Sequence, residues 1–124
     1  MKSLKESILN RSSHSGESFK AQRRTEMIKE WLKEYSIKNY TINDDFTIDV
    51  NRSVDLTDNH LSEIPDYIQF NIVKGYFDCS NNKLTSLKGA PESVGGYFTC
   101  SNNPTSFTED DVRVVCKVRI KINV

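Results

Sequence analysis

The chain has 124 residues, of which 27% are charged and 36% hydrophobic, a balance that suits one globular domain with a modest core. No run approaches the roughly 20 apolar residues of a membrane span, and no apolar signal-peptide core follows Met1, so the expectation is a protein of a reducing cytoplasm that is not secreted by that route. Net charge is zero but uneven: residues 1–40 hold nine Lys/Arg against five Glu, residues 41–111 four against twelve Asp/Glu, and residues 112–124 four basic residues with no acid. An acidic middle between basic ends argues against repeats that track a phosphate backbone, because that task needs cations along the surface.

Residues 1–19 read as a flexible N-terminal segment. Within it, residues 2–9 put Leu4, Ile8 and Leu9 on one side of two helical turns, a short amphipathic motif too small to be stable without a docking surface. From Asn10 to Ser18 the composition shifts to Ser, His, Gly and Arg, as in a linker. A helix is expected from about Ala21 to Tyr35, with Met27, Ile28, Trp31, Leu32 and Tyr35 as its apolar stripe. We read residues 20–36 as a capping helix whose Trp31 covers the open end of a repeat stack.

Residues 40–52 alternate apolar and polar on both sides of Asp44-Asp45, as expected of a hairpin or entry strands. The paired aspartates suit turn chemistry better than calcium, since no further oxygen ligands follow at loop spacing.

The centre of the chain, residues 53–107, is a repeat. Tyr76-Phe77-Asp78-Cys79-Ser80-Asn81-Asn82 returns 21 residues later as Tyr97-Phe98-Thr99-Cys100-Ser101-Asn102-Asn103. A fainter copy, Val54-Asp55-Leu56-Thr57-Asp58-Asn59, lies 23 residues upstream. Phe77, Cys79, Leu84, Leu87 and Val94 are its inward apolar positions, matched upstream by Val54, Leu56, Leu61, Ile64 and Ile68. In the third copy Thr105 and Thr108 stand where Leu84 and Leu87 stood, Pro104 follows the asparagine, and Phe107 fills the core out of register. Thr108-Glu109-Asp110-Asp111 then announces a short helix to about Cys116, with an N-cap and acids in its first turn. Val118, Ile120, Ile122 and Val124 alternate with polar residues as a last strand, and the spacing of Ile120 and Ile122 matches Phe98 and Cys100. Residues 108–124 thus read as a C-terminal cap, a need of any stacked repeat.

The apolar spacing with its asparagine resembles the leucine-rich-repeat family. The run from Trp31-Leu32-Lys33-Glu34 through Asn39-Tyr40-Thr41-Ile42-Asn43-Asp44-Asp45, with Ser80-Asn81-Asn82-Lys83-Leu84-Thr85-Ser86-Leu87-Lys88-Gly89-Ala90-Pro91, resembles leucine-rich-repeat-like proteins of large tailed phages of the T-even type, over residues 20–124. The resemblance implies expression in the cytoplasm of an infected bacterium and implies no reaction. The expected fold is an α/β solenoid of about three rungs, capped by a helix and hairpin before it and a helix and strand after it.

Side chains alternate across a strand. With Phe77 and Cys79 inward, Tyr76, Asp78 and Ser80 face out, followed by Tyr97, Thr99 and Ser101 in the next rung and preceded by Ser53, Asp55 and Thr57. Tyr76, Tyr97, Asp55, Asp78 and Thr99 are the candidate partner-binding residues, since neither two exposed tyrosines nor two stacked aspartates serve folding, while tyrosine is enriched at binding hot spots. The alternative is that duplication copied inert surface. Asn59, Asn82 and Asn103 are expected to form a structural ladder, and the glycines at 75, 89, 95 and 96 to serve bends. Cys79, Cys100 and Cys116 read as small buried apolar residues, with a disulfide as the alternative. His14 and His60 have no adjacent nucleophile. No enzyme activity, cofactor or metal is therefore expected. The expected partner is a bacterial host protein, of the defence or transcription machinery, with no membrane and no direct nucleic-acid binding. A virion assembly role tethered by the N-terminal segment, an acidic nucleic-acid mimic and a homo-oligomer stand as alternatives.

Overall fold

The computed structural model of the chain describes the backbone of residues 4–124 and the side chains from residue 18 onward. The first helix, α1, runs unbroken over Leu4–Glu34 and so includes the backbone of the stretch 10–18 that composition marks as a linker. No proline interrupts it and Gly16 is its one glycine, so the sequence contains no obligatory break. The face proposed for Leu4, Ile8 and Leu9 lies outside the residues whose side chains are described.

Helix α1 ends in a Schellman motif. The Ile37 N–H donates to the Leu32 carbonyl at 2.8 Å and the Ser36 N–H to the Lys33 carbonyl at 3.1 Å, with Ser36 left-handed at φ 58°. This turn drops Ile37 into the core beside Ile28, Trp31 and Leu32. Met27, expected on the same stripe, is exposed, because the contact face is narrower than the sequence pattern implies.

The hairpin expected at 40–52 is present. Strand β1 (Tyr40–Ile42) pairs antiparallel with β2 (Thr47–Val50), with Ile42 opposite Ile48. Its bend is fixed by Asp45, whose carboxylate accepts from the Thr47 N–H at 3.0 Å and the Thr47 hydroxyl at 2.6 Å. These bonds hold the Asp45 carboxyl below the usual carboxylate range. Arg24 of α1 lies over the Phe46 ring, 4.4 Å from its centroid, and ties the helix to the hairpin.

Beyond the hairpin the chain coils through two parallel sheets. Strands β2, β4 (Gln69–Val73), β6 (Ser93–Val94) and β8 (Lys117–Val118) form the first, with β1 at its edge. Strands β3 (Val54–Asp55), β5 (Phe77–Asp78), β7 (Tyr97–Thr99) and β9 (Lys121–Asn123) form the second. Each winding lays one strand in each sheet, turns a short corner between them, and returns by a longer arm. The result is a small solenoid-like stack of about three turns of parallel strands.

The repeat pattern becomes two columns of buried side chains. Val54, Phe77, Phe98 and Ile122 stand in register in the second sheet, and Val50, Val73 and Val94 in the first, where the partly buried Val118 ends the column. An aromatic series crosses the interior. Trp31 lies 6.3 Å from Phe70, Phe70 meets Phe77 edge-on at 5.6 Å, and Phe77 meets Phe98 at 5.2 Å.

The last winding differs from the expectation in register. Residues 117–123 are two strands in two sheets, not one, because the corner at 119–120 corresponds to Gly95–Gly96. Ile122 pairs with Phe98, and Ile120 sits on the corner, 63% exposed. The helix before them is as expected: α2 (Glu109–Val115) starts at a capping box in which Thr108 accepts from the Asp111 N–H and Asp111 from the Thr108 N–H. Val112, Cys116 and Phe107 are buried there, in place of the leucines the third repeat lacks.

Candidate interaction surface

The outer face of the second sheet carries the candidate partner-binding residues in two parallel columns. Tyr76 and Tyr97 stand in adjacent rungs, followed by Lys121, and are 41% and 49% exposed while Phe77 and Phe98 behind them are fully buried. Asp55, Asp78, Thr99 and Asn123 form the neighbouring column. All five candidates therefore share one face, held by a hydrogen-bonded ladder over an aromatic core.

The aspartates do more for the fold than simple repulsion between rungs would allow. Asp55 accepts from the Thr57 N–H at 3.0 Å and its hydroxyl at 2.6 Å, and Asp78 makes the same pair of bonds with Ser80 at 3.0 and 2.5 Å. The motif is an aspartate two residues before a hydroxyl side chain, the same one that bends the hairpin at Asp45 and Thr47. Each carboxylate thus spends one oxygen on closing its own strand. In the third rung, Thr99 takes the aspartate's place and accepts from the Asn123 side chain at 3.2 Å.

Ser80, expected outward, is buried. The strand ends at Asp78, and the bond from the Ser80 hydroxyl to that carboxylate turns the side chain beneath the bend, so strict alternation stops there.

Asn82 is the buried centre of the turns. Its side-chain oxygen accepts from the N–H groups of Asn59 and Leu61, both at 3.0 Å, and its NH2 donates to the carbonyls of Leu56, Cys79 and Ser80 at 2.7 to 3.1 Å. Asn103 repeats this one rung later, accepting from Leu84 N–H and donating to Cys79, Cys100 and Ser101. Asn59 opens the series, and its own side-chain NH2 donates to the Thr57 carbonyl at 3.1 Å. Beside them Asn81 and Asn102 adopt the left-handed conformation, and the Asn102 amide donates to Asn81 at 2.6 Å, an exposed second ladder.

All three cysteines are buried as free thiols. Burial raises their pKa, to about 11 for Cys100 and about 12 for Cys116, and higher still for Cys79. Such thiols are poor nucleophiles at neutral pH. Among the described residues, no group of three or more His, Cys, Asp or Glu is placed to hold a metal ion.

No family model matches the chain, and no curated protein or solved structure shows significant similarity to it. The surface must therefore be read from its own chemistry.

The first sheet has a different outer face, which sequence reasoning missed. A shallow hollow there is lined by Ile72, Lys74, Ser93, Lys117, Val118 and Arg119, among others, and no carboxylate contributes to it. Neighbouring hollows run along the same sheet past Ile72, to the hairpin on one side and to α2 on the other. At the hairpin side a bulge in β4 is closed by Asp49, which accepts from the Asn71 side chain at 2.9 Å and the Ile72 N–H at 3.1 Å.

Proposed function

We propose that the chain is a non-enzymatic protein-interaction module, a short leucine-rich-repeat-like stack that binds a bacterial host protein in the cytoplasm of a phage-infected cell. In this reading α1 with the hairpin, and α2 with the last rung, are the caps that isolate the repeats. The observation that carries it is the pair Tyr76 and Tyr97, two large rings left in solvent on neighbouring rungs although folding has no use for them there. Tyrosine supplies wide contact area at small conformational cost, and its hydroxyl bonds to a polar rim. The free carboxylate oxygens of Asp55 and Asp78 suit a basic patch on that partner, and Thr99 extends the polar margin. The phage assignment rests on the literal phrases of residues 31–45 and 80–91.

The test is affinity capture from infected cells with the wild-type protein and with Y76A/Y97A. Loss of one specific host protein with an unchanged circular dichroism spectrum supports the reading, and retention of that protein removes the strip from consideration. Mass spectrometry of purified particles decides the rival: a copy number per virion comparable to a structural protein favours an assembly role.

A further inference from the structure

We propose that the hollow bounded by Lys74, Lys117 and Arg119 on the outer face of the first sheet is a second docking surface, which takes an extended acidic segment of a protein partner. Three observations converge on it.

The first is uncompensated charge. Register places Lys74 and Arg119 in one column on either side of Gly95, which has no side chain, so the two cations flank a gap about 10 Å wide. Lys117 stands in the adjacent column beyond Ser93. The two ion pairs among the described residues are Lys88 with Asp66 and Arg113 with Glu109, and none of the three cations takes part. The acids nearest on this sheet are Asp49, which is bonded to β4, and Glu92, which lines the neighbouring hollow beside α2.

The second is backbone. Strand β8 is the last of its sheet. The N–H groups of Lys117 and Arg119 donate inward to the carbonyls of Glu92 and Val94, at 2.9 and 3.0 Å. Alternation therefore sends the N–H and carbonyl of Val118 to the open side, where an added strand would bond them.

The third is apolar surface. Ile72 is exposed and stands in the outward column of Ser93 and Lys117, beside Lys74, an apolar wall next to the cations. A peptide alternating carboxylate and apolar side chains matches that arrangement. Single-stranded nucleic acid matches it poorly, because the hollow offers no aromatic platform for bases and Asp49 and Glu92 stand near its ends. A second copy pairing β8 with its own β8 would set Lys117 and Arg119 against themselves, which opposes self-docking.

The experiment is fluorescence anisotropy of a labelled oligoglutamate peptide and of a labelled single-stranded oligonucleotide of equal length, each titrated with the full-length protein. We expect saturable peptide binding that weakens as salt rises. K74E/R119E should lower the affinity by about tenfold or more, whereas Y76A/Y97A and the equally charged control K38E/K83E should leave it unchanged. A loss in Y76A/Y97A alone would place the peptide on the tyrosine strip and overturn the second surface, while the strip's own partner capture is scored separately. Tighter binding of the oligonucleotide, an equal loss in K38E/K83E, or no saturable peptide binding would each overturn the proposal as well. If K74E/R119E loses its folded circular dichroism spectrum, K74Q/R119Q takes its place with the same expected direction.

Discussion

The side-chain oxygen of Asn82 sits 3.0 Å from the backbone nitrogen of Leu61, one winding upstream, inside a turn closed to water. With the Asn59 N–H it satisfies two donors, while its own NH2 reaches three carbonyls. Replacing it by alanine orphans several buried groups at about 1–3 kcal/mol each, so N82A should lose at least about 3 kcal/mol in urea denaturation. N82D, which turns a carboxylate oxygen toward those carbonyls, should be at least as damaging. N103A should cost less, because its side chain is partly exposed and one backbone N–H depends on it.

Ser36 holds the left-handed position that ends α1, at φ 58°. Glycine adopts that conformation without the steric cost borne by a side chain, so S36G should stabilise the protein by about 0.5–1 kcal/mol and raise Tm. S36V should do the opposite, as a β-branched residue tolerates positive φ least.

Phe77 touches Phe70 in one direction and Phe98 in the other. F77A should cost about 3–5 kcal/mol, since its neighbours lie on hydrogen-bonded strands that cannot close the void. A double-mutant cycle of F77L with F98L should reveal a coupling of about 0.5–1.5 kcal/mol, the mark of a ring pair and not of two independent burials.

The thiols give the fold a ceiling in alkali. Their folded pKa values lie above the ordinary value of 9.0, reaching about 11 at Cys100 and about 12 at Cys116. The unfolded chain therefore loses these protons first. The stabilisation is complete below the ordinary value and is lost as pH rises toward the folded ones, by up to about 1.4 kcal/mol per pH unit for each thiol. Urea midpoints should fall between pH 9 and 11, and C116A should show a shallower fall. A thiol reagent at pH 8 should label the native protein slowly and all three cysteines after unfolding.

What the sequence made legible was whatever it stated more than once. The 21-residue echo placed Phe77 over Phe98 and Tyr76 over Tyr97, and the asparagines gave away the turns. The capping box at Thr108 was equally plain, because its chemistry is local. Beyond the hairpin the first sheet stayed hidden: β6 and β8 each offer a single inward valine, Val94 or Val118, and two residues cannot display an alternation. Literal spacing misplaced Ile120, since a corner consumes residues that a straight strand would have paired. The basic hollow was invisible for another reason. Lys74 belongs to the acidic middle of the chain and Arg119 to its basic end, and only the coil brings them into one column.

The asparagine turns also bear on how such a chain can lengthen. Each bend is finished by an amide supplied from the winding downstream, and each winding finishes the bend before it. A unit copied into the interior therefore arrives with its requirement and its contribution already matched, and the lineage can grow there by simple tandem copying. Among the described residues no such amide follows Asn103. There Pro104 withdraws a donor and α2 diverts the path, so extension beyond that point would require a new terminus to be invented.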